Sequence, residues 1–189
     1  MESTGTAAEE TLSLQERLLA RIRNVPDFPK QGVTFKDITP LLADAEVFSR
    51  LVDELADLAV LHEATVVAGL EARGFILAAP VALRAGVGFV PVRKAGKLPG
   101  PTLVQSYELE YGNAEVEVQC DAFAPGSRVL VVDDVLATGG TLEASIRLIR
   151  DAGAEVVAVG VLMELGFLEG RKSLQPLLDG VPLEAVVAI

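Results

Sequence analysis

The residues best suited to chemistry lie in the run VLVVDDVLATGGT, from Val129 to Thr141. Four apolar residues lead into two adjacent carboxylates, Asp133 and Asp134, and then into small, hydroxyl-bearing and glycine residues. This is the pattern of a buried strand that ends at a sugar-phosphate site. Two neighbouring carboxylates at a strand end repel each other unless a partner satisfies them, and the vicinal hydroxyls of a ribose, or a metal ion, would do so. Gly139 and Gly140 let a backbone approach a phosphate closely. Ala137, Thr138 and Thr141 complete a short loop at a helix N-terminus, with two hydroxyl donors. No lysine follows the glycines, so the loop is not a Walker P-loop. An ordinary strand–turn–helix with aspartate as the helix cap would explain the same residues.

A second candidate is GLEARGFI (69–76). A strand precedes it and a helix follows. Its glycines and Arg73 suit another anion site, because backbone N–H groups and a guanidinium can clamp a phosphate. A plain turn in which Arg73 pairs with Glu71 fits equally. RKAGKLPGPT (93–102) gathers Arg93, Lys94 and Lys97 among glycines and prolines, which predicts a loop that projects and moves. Taken alone, three cations in a loop read as solvated surface. Glu108 and Glu110 read alone as outward positions of an alternating strand, and Phe35 as a core plug beneath a loop. The single histidine, His62, and the single cysteine, Cys120, argue against a Cys/His zinc site, and no intrachain disulfide can form.

The elements that must position these residues follow from hydrophobic period. Leu14, Leu18, Leu19 and Ile22 give helical spacing over Leu12–Arg23, and Asn24 and Pro26 stop it. Residues 26–42 are rich in Pro and Gly and are expected to be irregular. Val47, Leu51, Leu55 and Leu58 mark one face of a helix over Ala45–His62. A strand over Ala64–Ala68, a helix over Gly74–Ala85 stopped by Gly86, and a strand over Gly88–Val92 form a βαβ unit, hence a parallel sheet with right-handed crossovers. Glu115 to Val118 alternate, as in a half-exposed antiparallel strand after a turn at Tyr111-Gly112-Asn113. Arg128–Val132 and Val156–Met163 read as buried strands flanking a helix over Thr141–Arg150, and Leu183–Ile189 as a last strand. The expected fold class is α/β, in one domain spanning 1–189.

Composition bounds the function. Half of the 189 residues are apolar, which makes the chain globular. A net charge of −11 repels phosphate polymers and argues against a nucleic-acid partner. A small anionic substrate is still open to it if a local basic site opposes the global sign. No apolar stretch reaches transmembrane length, and residues 1–11 read as a frayed terminus rather than a leader, so no membrane partner and a cytoplasmic location are expected.

VLVVDDVLATGGT resembles the signature of the type I phosphoribosyltransferases, which bind 5-phosphoribosyl-1-pyrophosphate. PDFPKQGVTFKDITPLL (26–42), GLEARGFI (69–76), VPVRKAGKLPG (90–100) and SYELEYG (106–112) resemble, in order and approximate spacing, the adenine-using members of that family. The resemblance runs from about Arg21 to Met163. It implies a central, mostly parallel twisted sheet flanked by helices, a small hood region and a flexible lid loop over 93–112. It implies transfer of phosphoribose to adenine, giving AMP and pyrophosphate, with Mg²⁺ held by substrate oxygens near Asp133 and Asp134, in a homodimer.

The resemblance also distributes roles. Asp133 and Asp134 take the ribose, and Ala137, Thr138, Gly139, Gly140 and Thr141 the 5′-phosphate. Glu71, Ala72, Arg73 and Gly74 form the pyrophosphate loop, in which family members often hold a cis peptide, here between Glu71 and Ala72. Arg93, Lys94 and Lys97 reach pyrophosphate, in their own subunit or across the dimer. Glu110 is the catalytic carboxylate, and Tyr107 and Tyr111 close the lid. Phe35 stacks on adenine while the backbone at Thr34 and Lys36 pairs with its edge. Thr34, where an aliphatic residue is usual, touches base selectivity. Two alternatives remain. One is a regulator that binds the sugar pyrophosphate without transfer; such regulators that act on DNA usually carry a basic DNA-binding domain, and the short acidic N-terminus here counts against it. The other is a transferase for xanthine or guanine, against which VPLEAVVAI offers no lysine near the carboxyl end.

Overall fold

The computed structural model describes residues 12–108 and 113–189. The expectations for residues 1–11, for Glu110 and for Tyr111 lie outside the described residues. The chain divides into two compact units, one up to Leu51 and one from Val52 to Ile189.

In the first unit, α1 (Leu14–Arg21) begins with a capping box. The Ser13 hydroxyl accepts the Glu16 N–H at 3.2 Å, and the Glu16 carboxylate accepts the Ser13 N–H at 2.8 Å. β1 (Arg23–Val25) and β2 (Phe35–Asp37) pair antiparallel, with Val25 opposite Phe35. α2 (Thr39–Ala43) has a proline in its first turn, where no intrahelical N–H is lost. Residues 26–42 are therefore not all irregular. A three-residue strand is too short to show a period, and its existence depends on a partner distant in sequence.

α3 (Ala45–Leu61) carries the chain across the boundary. Its predicted apolar face, Val47, Leu51, Leu55 and Leu58, is buried.

The second unit continues with β3 (Val66–Leu70), α4 (Arg73–Ala85), β4 (Gly88–Lys94), β5 (Thr102–Glu108), β6 (Asn113–Gln119) and β7 (Arg128–Leu136). α5 (Gly140–Asp151), β8 (Glu155–Glu164), a 3₁₀ turn at Gly166–Leu168, α6 (Gly170–Leu178) and β9 (Leu183–Ala188) complete it. The sheet order is β5-β6-β4-β3-β7-β8-β9. β4, β3, β7, β8 and β9 run parallel, and β6 is antiparallel to both β4 and β5.

Alternate residues of the central strands face two helical layers, so both parities are apolar. Val66, Ala68, Leu70, Val129 and Val131 form a core with Ile146 and Ile149 of α5 and Leu174 of α6. Val67 and Leu130 are fully buried on the other face. There α4 lies so close that a Cβ on Gly69 would meet Ala78 Cβ at 2.6 Å.

Two expectations need correction. β7 does not stop at Val132. β8 keeps pairing with it, Asp133 opposite Val161 and Leu136 opposite Glu164, so the aspartates stand inside a strand rather than beyond its end. Glu117, expected on an outward face of β6, is buried, because the turn between β4 and β5 folds over it.

Candidate active site

The strand order reverses between β3 and β7. β3 leads to β4 on one side, while β7 leads to β8 on the other. At such a switch point the loops leaving neighbouring strands diverge and open a crevice beyond their carboxyl ends. The two loops here are 71–74 and 137–139, and both candidate anion sites fall on them. Each loop opens a helix whose N-cap, Ala72 for α4 and Gly139 for α5, makes no side-chain capping bond. The expected alternative, an aspartate cap, is therefore absent at α5. Both helix starts keep N–H groups and the positive end of a dipole for an outside anion.

The loops meet the acids directly. A Cβ on Gly74 would lie 2.8 Å from Asp133 Oδ1 and 3.0 Å from the Val132 carbonyl oxygen, so only glycine lets the start of α4 rest on β7. The peptide between Glu71 and Ala72 is cis, as the resemblance implies.

Asp133 and Asp134 are 9% and 4% exposed. Asp133 Oδ1 accepts the Asp134 N–H at 2.8 Å. Burial, and then the charge of Asp134, push the Asp133 carboxyl well above its ordinary range. Burial also raises Asp134, against the opposing charge of Arg73. Arg73 Nη2 lies 2.8 Å from Asp134 Oδ2. That oxygen is buried, and the approach lacks the alignment of a hydrogen bond. Arg73 therefore pairs with Asp134, and not with Glu71.

Glu71 instead accepts Arg93 Nε at 3.2 Å and the Lys94 N–H at 2.9 Å. Burial works to raise its pKa, but these donors outweigh it and lower the value, which keeps Glu71 anionic. A carboxylate so engaged orients cations; it does not itself attract an anion. Arg93 Nη1 also donates to the Lys97 carbonyl oxygen at 3.1 Å, while the Lys94 and Lys97 side chains are exposed.

On the other side of the crevice, Thr138 is exposed and Ala137, Gly140 and Thr141 are partly so. The Thr141 hydroxyl donates to the Tyr107 hydroxyl at 3.4 Å. A cavity of about 430 Å³ lies here, lined by Tyr107, Thr138, Gly140, Glu143, Arg147 and others.

Sequence reasoning missed Gly170, the first residue of α6. A Cβ there would collide with the Ala137 carbonyl oxygen and would lie 2.9 Å from Leu136 Cδ1 and 3.0 Å from the Ala137 carbonyl carbon. Reciprocally, a Cβ on Gly139 would be 3.0 Å from the Gly170 oxygen. Two backbones thus touch behind the 137–141 loop. The signal in the sequence was a glycine at a helix start, in EGRK, where no turn requires one.

In the first unit, Phe35 is half-buried and packs edge-on against Phe28, ring centroids 5.2 Å apart. Thr34 is exposed, and Lys36 Nζ donates to Asn24 Oδ1 at 2.8 Å.

The structure thus brings together Gly74, Arg73, Asp133 and Asp134, links Glu71 to Arg93, Lys94 and Lys97, and sets Tyr107 against Thr141. A family model described as phosphoribosyl transferase domain matches residues 42–174. The chain is 64% identical over 180 residues to adenine phosphoribosyltransferase of Streptomyces avermitilis, covering 95% of this chain and 99% of the relative. Among solved structures it is similar to adenine phosphoribosyltransferase from Thermoanaerobacter pseudethanolicus. That match has 47% identity and a TM-score of 0.87, over 94% of this chain and 100% of the other. It is similar too to the Giardia lamblia enzyme in complex with 9-deazaadenine, at 38% identity and a TM-score of 0.87, over 95% and 99% of the two chains.

Proposed function

This chain belongs to the phosphoribosyl transferase family, and from that premise we infer that it transfers the 5-phosphoribosyl group of phosphoribosyl pyrophosphate to adenine, giving AMP and pyrophosphate. The observation that carries this reading is the pair of uncapped helix N-termini flanking two buried carboxylates at the sheet's switch point. Two anion sites with a polyol-binding site between them match a sugar that bears phosphate at one end and pyrophosphate at the other.

Asp133 and Asp134 accept the ribose hydroxyls, and the Ala137–Thr141 backbone and hydroxyls hold the 5′-phosphate. Ala72, Gly74 and Arg73 hold the pyrophosphate. Arg73 leaves Asp134 as the substrate enters, which frees Asp134 Oδ2 for a hydroxyl. Glu71 aims Arg93 and Lys94 at the same group, and Lys97 adds a third cation. No enzyme nucleophile is needed. The C1–O bond to pyrophosphate breaks as adenine N9 approaches C1, and positive charge builds on the ribose. The protein's contribution is position and fixed charge. Glu110 takes the proton lost by the adenine imidazole. Phe35 stacks on the base, the Thr34 and Lys36 backbone reads its edge, and Tyr111 closes over it.

Among the described residues no cluster of three or more His, Cys, Asp or Glu side chains could hold a metal ion. Two adjacent buried carboxylates, of which Asp134 is ion-paired with Arg73, suit a divalent cation carried on substrate oxygens rather than a resident one. Mg²⁺ so bound would neutralise charge on the departing pyrophosphate. A homodimer is part of the reading. Ile76 and Leu83, one helical face of α4, and the neighbouring Phe89 are exposed, an apolar stripe of the kind that copies of a chain cover. The reading takes 1–189 as one functional domain in the cytoplasm. No helix among the described residues is long and apolar enough to cross a membrane.

The test is pyrophosphate release from phosphoribosyl pyrophosphate and Mg²⁺ with each purine in turn. Release with adenine alone is expected. Release with guanine or xanthine instead, or binding of the sugar pyrophosphate with no release, would overturn the reading.

A further inference from the structure

Apart from Asp133 and Asp134, Glu117 is the buried acid among the described residues, 3% exposed on β6. Its Oε1 accepts the N–H groups of Lys97 and Leu98, each at 2.7 Å, and its Oε2 accepts the Thr102 hydroxyl at 3.1 Å. Burial opposes its charge, but the N–H groups of Leu98, Gly96 and Lys97 outweigh burial and lower its pKa. The turn between β4 and β5 is therefore wound around one fixed negative charge. The Lys97 carbonyl in turn receives Arg93 Nη1, and Arg93 Nε reaches Glu71 in the loop that opens α4. A continuous set of hydrogen bonds runs from Glu117 through the turn to the 71–74 loop.

We propose that Glu117 is a positioning residue for pyrophosphate: by gripping the Lys97 and Leu98 amides it fixes where Lys97 and Arg93 stand. The proposal rests on the reading of those two cations as pyrophosphate ligands. A carboxylate does this where a neutral aliphatic residue would not, because the turn's converging N–H groups need a buried acceptor once solvent is excluded.

Two variants separate the role from mere packing. In Glu117→Gln the amide oxygen can still accept both N–H groups and the amide nitrogen can donate to the Thr102 hydroxyl. In Glu117→Ala all of these bonds are lost. For Glu117→Ala the KM and the directly measured Kd for phosphoribosyl pyrophosphate are expected to rise tenfold or more. The adenine KM and kcat should stay within threefold, and Glu117→Gln should stay within threefold throughout. Trypsin supplies a readout independent of activity, because the Leu98 amide belongs to the Lys97–Leu98 bond it would cut. Cleavage there should be at least tenfold faster in Glu117→Ala and unchanged in Glu117→Gln.

Unchanged cleavage, or faster cleavage with unchanged binding of the sugar pyrophosphate, overturns the proposal. So does equal damage to both substrates together with a fall in Tm. If Glu117→Ala does not fold, Thr102→Val removes one donor and must move both readouts in the same direction, less far; no movement overturns it. If the wild type shows no transfer to adenine, the functional reading fails separately, and the binding and trypsin comparisons still decide this one.

Discussion

Replacing Gly170 by alanine tests whether α6 sets the shape of the 137–141 loop, the proposed phosphate cradle. The added Cβ would lie 3.0 Å from the Ala137 carbonyl carbon, where ordinary contact begins at 3.4 Å, and closer still to the carbonyl oxygen. The peptide at Ala137 must therefore move, by ~0.4 Å at its carbon and by roughly twice that or more at its oxygen, or α6 must retreat. Leu136 Cδ1, at 2.9 Å, blocks one line of retreat. Forced overpacking of this kind costs about 1–3 kcal/mol. Gly170 does not have positive φ, so alanine is not barred by its backbone. Alanine also favours helix by up to about 1 kcal/mol over glycine, which offsets part of the stability loss. Function is not offset. A misplacement approaching 1 Å costs about 10²-fold in rate, or about 2.7 kcal/mol of transition-state stabilisation. Steady-state kinetics with phosphoribosyl pyrophosphate varied should show kcat/KM down about 100-fold and AMP affinity down in parallel, with Tm changed by only a few degrees. Gly88→Ala is the control, since its nearest neighbour would be 3.8 Å away. A Gly170→Ala protein within twofold of wild type, or no worse than Gly88→Ala, would refute the argument that this backbone contact shapes the loop.

Other outcomes follow from the acids. Asp133→Asn with Asp134→Asn should abolish turnover while leaving a folded protein by circular dichroism; wild-type activity would remove the ribose assignment. Asp133→Asn alone should be more stable than wild type near neutral pH without ligand. The native pKa of Asp133 is raised from 3.8, so its favourable contribution is complete below that pH and is lost as pH rises through the native value. The Tm difference should therefore widen from acid to neutral pH, and a constant difference would contradict the burial argument. Glu110→Ala should lower kcat by about 10²–10⁴-fold with little change in KM, and a change confined to KM would take it out of the chemistry.

The sheet and its crossover helices were legible because their signals are local and repeated. The α3 face, the strand cores and the Gly86 helix stop, at φ 72°, all stand where period and turn chemistry put them. The connection of β7 to α5 through Gly139 and Gly140 was legible for the same reason. What escaped depends on partners distant in sequence. Whether β7 ends at Val132 is decided by β8, which continues to pair. Glu117 follows the same alternation as Glu115, yet one is buried and the other exposed, because only Glu117 lies under the turn. Sequence proximity suggests Arg73 with Glu71, but Arg73 pairs with Asp134 and Glu71 with Arg93. α6 went unread because glycine at its start and Pro176 inside it blur a helical pattern.

The two acids lie past the last β3 pairing of β7, at Val132, but β8 keeps pairing beyond them, from Asp133 opposite Val161 to Leu136 opposite Glu164, and the start of α4 rests on Asp133, so their main chain has little room to move when substrate arrives. Adaptation during turnover then falls to side chains. For anyone redesigning the enzyme to accept a different base or a bulkier sugar, this divides the territory. On the proposed reading, libraries belong in the first unit's Phe35 strand, while substitutions in the central strand would disturb the sheet and its two buried acids together.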